Sequence, residues 1–191
     1  MVNIAYHFTG PTLRDGSPIP PIGEALVFPG QIEICERGYH WSERPSDALR
    51  YAPGAMLHKV SYGGEIQRQD HKGCSSERTI LASIDATHLL RRFAADQALS
   101  VAHLWGMPQV VRDYLTTLDG NIRDAAWDAA RAAAWDAARA AWDAARAAAG
   151  AAAGDAWDAA WAAAWDAAGD AWDAAWDDFD RRVYAAFETA P

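Results

Sequence analysis

Several things that organise other chains are scarce here. Only two of the 191 residues are cysteine, Cys35 and Cys74. Two cysteines cannot make a disulfide framework, and a single bridge is the most they allow. Proline is absent from Gly120 to Ala190, so nothing in that stretch is a proline helix breaker. Lysine and arginine are absent between Ala147 and Asp180, where eight aspartates stand. Such a surface repels nucleic acid and anionic membrane, and leaves neutral or basic partners for this part of the chain. No apolar run reaches the roughly 20 residues of a membrane span, because Asp or Arg interrupts the alanine every few residues. The opening MVNIAYHF has neither the basic segment nor the apolar core of a secretory signal. The expectation is a cytoplasmic protein with reduced thiols.

What is present is distributed unevenly. The net charge is −9, but residues 1–121 carry 11 basic and 13 acidic side chains while residues 122–191 carry 6 and 13. In residues 1–86 the runs NIAYHF, EALVF, QIEIC, MLHKVSY and RTILASI are β-prone, and GP, DGSPIPP, PG and YGG punctuate them. This predicts a small α+β head, strand-rich and mixed. SYGGEI reads as its hairpin turn, and SDALRYA as a short helix with Ser46 at the N-cap. Over residues 87–119 the period changes. Leu89, Leu90, Phe93, Ala94, Leu99, Val101 and Leu104 suit one amphipathic helix, and PQVVRDYLTTL suits a second, started by Pro108. Asp119-Gly120-Asn121 then supplies a stop and a fresh cap.

Residues 121–188 hold a repeat. Trp127, Trp142, Trp157 and Trp172 recur every 15 residues, each followed by Asp. With alanine filling most other positions, the prediction is a long Ala/Trp-rich helix. Fifteen residues over four turns is slightly more than 3.6 per turn, so a stripe at that spacing drifts round the rod in the sense that favours right-handed winding. Asp128–Arg131, Asp136–Arg139 and Asp143–Arg146 sit three apart, each pair expected to add ~0.2–0.5 kcal/mol. Gly150 and Gly154 each cost about 1 kcal/mol in a helix, yet the repeat keeps phase through them. One continuous helix of some 65 residues, roughly 100 Å long, is the favoured reading. A hairpin at 150–154 is the alternative.

Eight tryptophans line this segment: Trp127, Trp135, Trp142, Trp157, Trp161, Trp165, Trp172 and Trp176. At ~150–250 Å² apiece they represent more than about 1,000 Å² of apolar surface, too much to leave wholly in water. The stripe is therefore a candidate binding surface, for self-association or for a protein partner. Stacking on single-stranded nucleic acid needs a basic groove, which an acidic rod does not offer.

In the head, Cys35, His40, His71 and Cys74 are weak candidates for a metal site, because their spacing is not a strong zinc pattern. No Gly-rich phosphate loop, nucleophile elbow or cysteine nucleophile motif is present. The segments AYHFTG (5–10) and ERGYHWSERPSDALRYAPGAMLHKVSYGGEI (36–66) are similar in layout to ADP-ribosyltransferases, notably the compact rifampin-modifying type. That resemblance implies that His7 holds an NAD ribose, that Tyr39 stacks on nicotinamide, and that Asp70 or Glu65 steadies a cationic sugar centre. Phe8 stands where the resemblance leads one to expect glycine. A second resemblance covers more of the chain. ICERGYHWSERPSDALRYA, SSERTILASI and VAHLWGMPQVVRDYL, followed by tandem repeats, resemble a phage- and prophage-associated domain family of unknown function. It implies a phage setting, hence a host-cell cytoplasm, and assigns no activity. Ser42 stands where that pattern leads one to expect cysteine. The expectation is an accessory protein that oligomerises or docks a partner through its tryptophan-striped helix, with no catalysis required and no cofactor assigned. An ADP-ribosyltransferase-like enzyme, or an inactive NAD-binding relative, is the alternative.

Overall fold

In the computed structural model, residues 2–149 and 155–189 are described. The fold is α+β: a five-stranded antiparallel sheet, then several helices ending in a C-terminal one. The strands are β1 (Asn3–Thr9), β2 (Ala25–Val27), β3 (Tyr39–Trp41), β4 (Met56–Gln69) and β5 (Lys72–Asp85). A short helix α1 (Pro45–Leu49) lies between β3 and β4.

The long β4–β5 hairpin turns at Asp70–His71, not at SYGGEI as predicted. Pairing runs straight past the glycines, from Gly63–Glu77 to Ile66–Ser75. Gly64 and Glu65 of β4 oppose Ser76 alone of β5, so the second glycine opens a bulge. Gly64 takes φ +70, and a Cβ on it would run into the Ser76 hydroxyl. Ser76 Oγ instead accepts the Glu65 backbone N–H at 2.9 Å. Left-handed backbone signals a turn in sequence, but here both flanks have long β partners and the strand resumes.

β2 and β3 share the outer edge of β5, β2 at 77–79 and β3 at 73–75. Just past β3, Ser42 exchanges both backbone hydrogen bonds with Tyr6 of β1, at 2.8 and 2.9 Å. Backbone pairing therefore runs β1–β4–β5–β3 and returns to β1. One apolar cluster comprises Ala5, Trp41, Val60, Tyr62 and Ile80. Trp41 stacks on Tyr62 at 3.7 Å, and a Cβ on Gly73 would collide with the indole. The run QIEIC is not a strand. Glu33 and Arg37 pair across a tight loop whose Cys35 has φ +74, and only Ile32 is buried there.

Ser46 does not cap α1. Arg44 takes that position with Pro45 in the first turn, and Ser46 lies one residue further in. The Ser46 backbone N–H and hydroxyl donate to Asp180, at 2.6 and 2.9 Å. A carboxylate from the far end of the chain thus does the work expected of a local hydroxyl.

The chain divides into two compact units, residues 1–90 with 176–191, and residues 91–175. In the first unit the last turns of α5 (Asp155–Thr189) bring Phe179 and Val183 into full burial. Tyr6 meets the rings of Tyr184 and Phe187 at 5.7 and 6.0 Å. Burial, helped by the Tyr184 and Asp180 charges, pushes the Tyr6 hydroxyl up to about 12.

The second unit contains most of α2 (Thr87–Ser100), then α3 (Gln109–Thr117), α4 (Arg123–Ala149) and the earlier part of α5. α3 ends in a left-handed Leu118, and Arg92 donates to its last carbonyls, Leu115 and Thr116. The Asp119 carboxylate accepts from the Asn121 backbone N–H, the fresh cap expected there. Neither Asp128–Arg131 nor Asp136–Arg139 closes to an ion pair among the described residues, and all four side chains are exposed. Two solvated side chains gain too little from contact to offset their lost freedom. The side chains of Asp143 and Arg146 are outside what is described, and the choice between rod and hairpin at 150–154 lies outside the described residues. Among the described residues no helix is long and apolar enough to cross a membrane.

Candidate functional site

The most unusual chemistry in the head surrounds Arg78 of β5. A charged side chain on a strand, here between Glu77 and Thr79, would ordinarily face water. Arg78 instead is 4% exposed. One terminal nitrogen donates to the His40 carbonyl at 3.0 Å, and the guanidinium lies 5.1 Å from the Tyr39 ring centre. Its Nε has no hydrogen-bond partner, and no described carboxylate pairs with it. Burial draws its pKa down to about 10, opposed by Tyr39 and Cys74. An unpaired buried cation is costly, so this position is not explained by stability.

Three histidines lie within its field. His7 of β1, His58 of β4 and Ser83 of β5 sit directly across from one another. His58 is 1% exposed, with its ring held between two hydroxyls. Thr9 Oγ1 lies 2.9 Å from Nε2, and Ser83 Oγ lies 2.7 Å from Nδ1. Thr9 spends its own proton on the Gly10 carbonyl at 2.9 Å. Its oxygen must therefore accept from Nε2–H, which leaves Nδ1 to accept from Ser83. That arrangement suits a neutral ring. Burial first, and then Arg78, lower the His58 pKa to about 4. Burial also holds His7 well below the ordinary imidazole value, followed by Arg78, His58 and His40. His40 is lowered by burial, then by Lys72, Arg78 and Arg14, against a backbone hydrogen bond that raises it.

Tyr39 thus borders the guanidinium, and His7 lies within its field. The acidic candidates lie elsewhere. Asp70 is at the tip of the β4–β5 hairpin, at the other end of β4 from His58, and lines an open hollow of about 290 Å³ with Trp41, Glu43, Arg68 and His71. Glu65 is exposed in the glycine bulge. The cluster therefore offers an aromatic wall, imidazoles and a cation, and no described carboxylate pairs with that cation.

The metal candidates do not converge. His40 and Cys74 face each other across β3 and β5, but His40 Nε2 accepts the Cys35 backbone N–H at 2.8 Å. The Cys74 thiol donates to the Arg37 carbonyl at 3.0 Å, and burial raises its pKa. His71 Nδ1 is 3.3 Å from Asp47 Oδ1. Both cysteines are thiols, and no three metal-ligating side chains gather among the described residues.

On α4, Trp127 and Trp135 are each 69% exposed, and Asp128, Arg131, Ala132 and Trp135 line one shallow surface. Trp172 of α5 is exposed too. Trp176, by contrast, is half-buried and meets Phe179 edge-on at 6.1 Å. The side chains of Trp142, Trp157, Trp161 and Trp165 lie outside the described residues.

Sequence reasoning passed over Arg78, His58, Arg44 and Asp180. The first two left a faint signal, a charged or ring residue within β-prone runs. Asp180 left a clearer one, since alanine gives way to DDFDRRVY just there.

Residues 3–92 match a domain of unknown function, DUF7666. No curated protein and no solved structure matches the chain.

Proposed function

We propose that this chain is a non-catalytic interaction protein that associates with a second copy of itself through the tryptophan-bearing face of α4. The observation that carries this reading is the exposure of Trp127 and Trp135, 69% each, on one helix. Covering such an indole is worth about 3 kcal/mol at ~25 cal/mol/Å². Alanine between the indoles lets a second helix approach closely. Charge supports a copy of α4 as the occupant. α4 carries Arg123, Arg131, Arg139 and Arg146 against Asp124, Asp128, Asp136 and Asp143, so two copies laid antiparallel meet without net repulsion. The acidic stretch of α5 lacks that balance. On the sequence resemblance above, a phage-encoded protein working in a host-cell cytoplasm belongs to the same proposal.

Sedimentation velocity of the full chain over a micromolar concentration series tests it. The expected result is a concentration-dependent dimer whose dissociation constant weakens at least tenfold in Trp127→Ala/Trp135→Ala. A monomer throughout, with both indoles quenched freely by acrylamide, overturns it.

A further inference from the structure

Arg78 raises a question that the tryptophan reading does not touch. Its guanidinium is buried, one N–H lacks a partner, and no carboxylate among the described residues balances its charge. The groups facing it are Tyr39, with a ring 5.1 Å away, and the His40 carbonyl, and its field reaches the side chains of His7, His40, His58 and Cys74. The side-chain cations that act on the three imidazoles are Arg78, Lys72 and Arg14, and each favours the neutral ring. Three strands, β1, β4 and β5, hold this arrangement in register, with β3 supplying Tyr39 and His40.

We infer that Arg78, with the Tyr39 ring and the His40 carbonyl against it, is a binding site for a small oxyanion, a phosphate or phosphate-monoester group. A guanidinium presents planar N–H donors that match two oxygens of such a group, and an oxyanion supplies the missing counter-charge. His7, His40 and Tyr39 each keep part of their surface in water, so they form the rim through which the anion enters. Because Arg78 itself is almost fully covered, the site takes a terminal anionic group and not an internal one. His58, held between Thr9 and Ser83, positions the row behind the anion and does not touch it. The inference needs neither nicotinamide nor an acidic residue, and it stands or falls separately from self-association.

The probe is inorganic phosphate, added to the full chain at constant ionic strength, with acetate and chloride as separate arms. Imidazole resonances followed by NMR give the readout. The expected result is a saturable shift of the His7 and His40 signals with a millimolar dissociation constant, and a rise in the titration midpoints of His7 and His58, since an anion reverses the field that holds them neutral. Acetate should act more weakly, and chloride not at all. In Arg78→Met the dissociation constant should weaken roughly 10–100-fold. Unmoved midpoints in the native chain at about 50 mM phosphate, well past millimolar affinity, overturn the site. So does phosphate binding that survives unchanged in a folded Arg78→Met. If acetate matches phosphate, the site is for carboxylates and the phosphate assignment falls. Should Arg78→Met not fold, the midpoints of the native chain decide alone.

Discussion

Trp127-Asp128 and Trp176-Asp177 are the same dipeptide in the same helical repeat, with opposite surroundings. In the unit of residues 91–175, Trp127 stands 69% exposed and Asp128 is solvated. In the unit built from residues 1–90 and 176–191, Trp176 packs on Phe179 and Asp177 binds the Arg44 guanidinium. What differs is the residues three and four positions on. After Trp127 come alanines and an arginine; after Trp176 come Phe179 and Asp180. Alanine gives a helix its backbone but little to bury. Phe179, Val183 and Phe187 recur every four residues and make the apolar face that lets the last turns dock. A repeat sets periodicity; its interruptions set destination.

The contrast can be broken at its strongest point first. Phe179→Ala should cost about 3–5 kcal/mol of stability in urea unfolding, as for other fully buried aromatics. A loss under about 1 kcal/mol would mean that the docked turns are not part of the head's core. A pH titration comes next. His58 has a folded pKa of about 4 against an ordinary 6.5, so the unfolded chain takes up its proton first as pH falls. The stability this ring contributes is complete above about pH 6.5 and is lost down to about pH 4, amounting to about 3 kcal/mol. His58→Gln should flatten that slope in the head, whereas α4 carries no histidine and adds none. Asp180→Ala should cost about 2 kcal/mol, because Ser46 loses both acceptors; half of Arg44 is already in water, so its share is small. At the small end, Trp127→Ala and Trp135→Ala should leave stability within about 0.5 kcal/mol while weakening self-association. A large loss there would erase the difference between the two ends of the repeat.

The fold class was legible because its signals are local. β-Prone runs marked β1, β4 and β5, Pro108 marked α3, and alanine content marked α4. The turn within SYGGEI misled because a glycine pair serves a bulge as well as a hairpin, and only the partner strand decides which. QIEIC misled because β propensity without a neighbour to pair with does not make a strand. In the candidate site, His7 and Tyr39 were visible; Tyr39 borders Arg78 and His7 lies within its field. Asp70 and Glu65 were drawn in by resemblance, and they lie away from it. Arg78 was missed because a cation's burial is a property of three dimensions. Asp180 was missed for the same reason, since its partners Arg44 and Ser46 stand more than 130 positions earlier.

The docking of α5 also bears on how the protein is made. The head's sheet leaves the ribosome with β5, but Phe179 and Asp180 follow about 90 residues later. At ~5–20 residues per second, the nascent sheet waits about 4–18 s without its helical cover. Through that interval Tyr6 and the Ser46 N–H stay open to water and to other chains. The match to DUF7666 stops at residue 92, so a fragment cut there holds the sheet in this unfinished state permanently. Such a fragment should aggregate during synthesis or depend on a chaperone, where the full chain closes over itself.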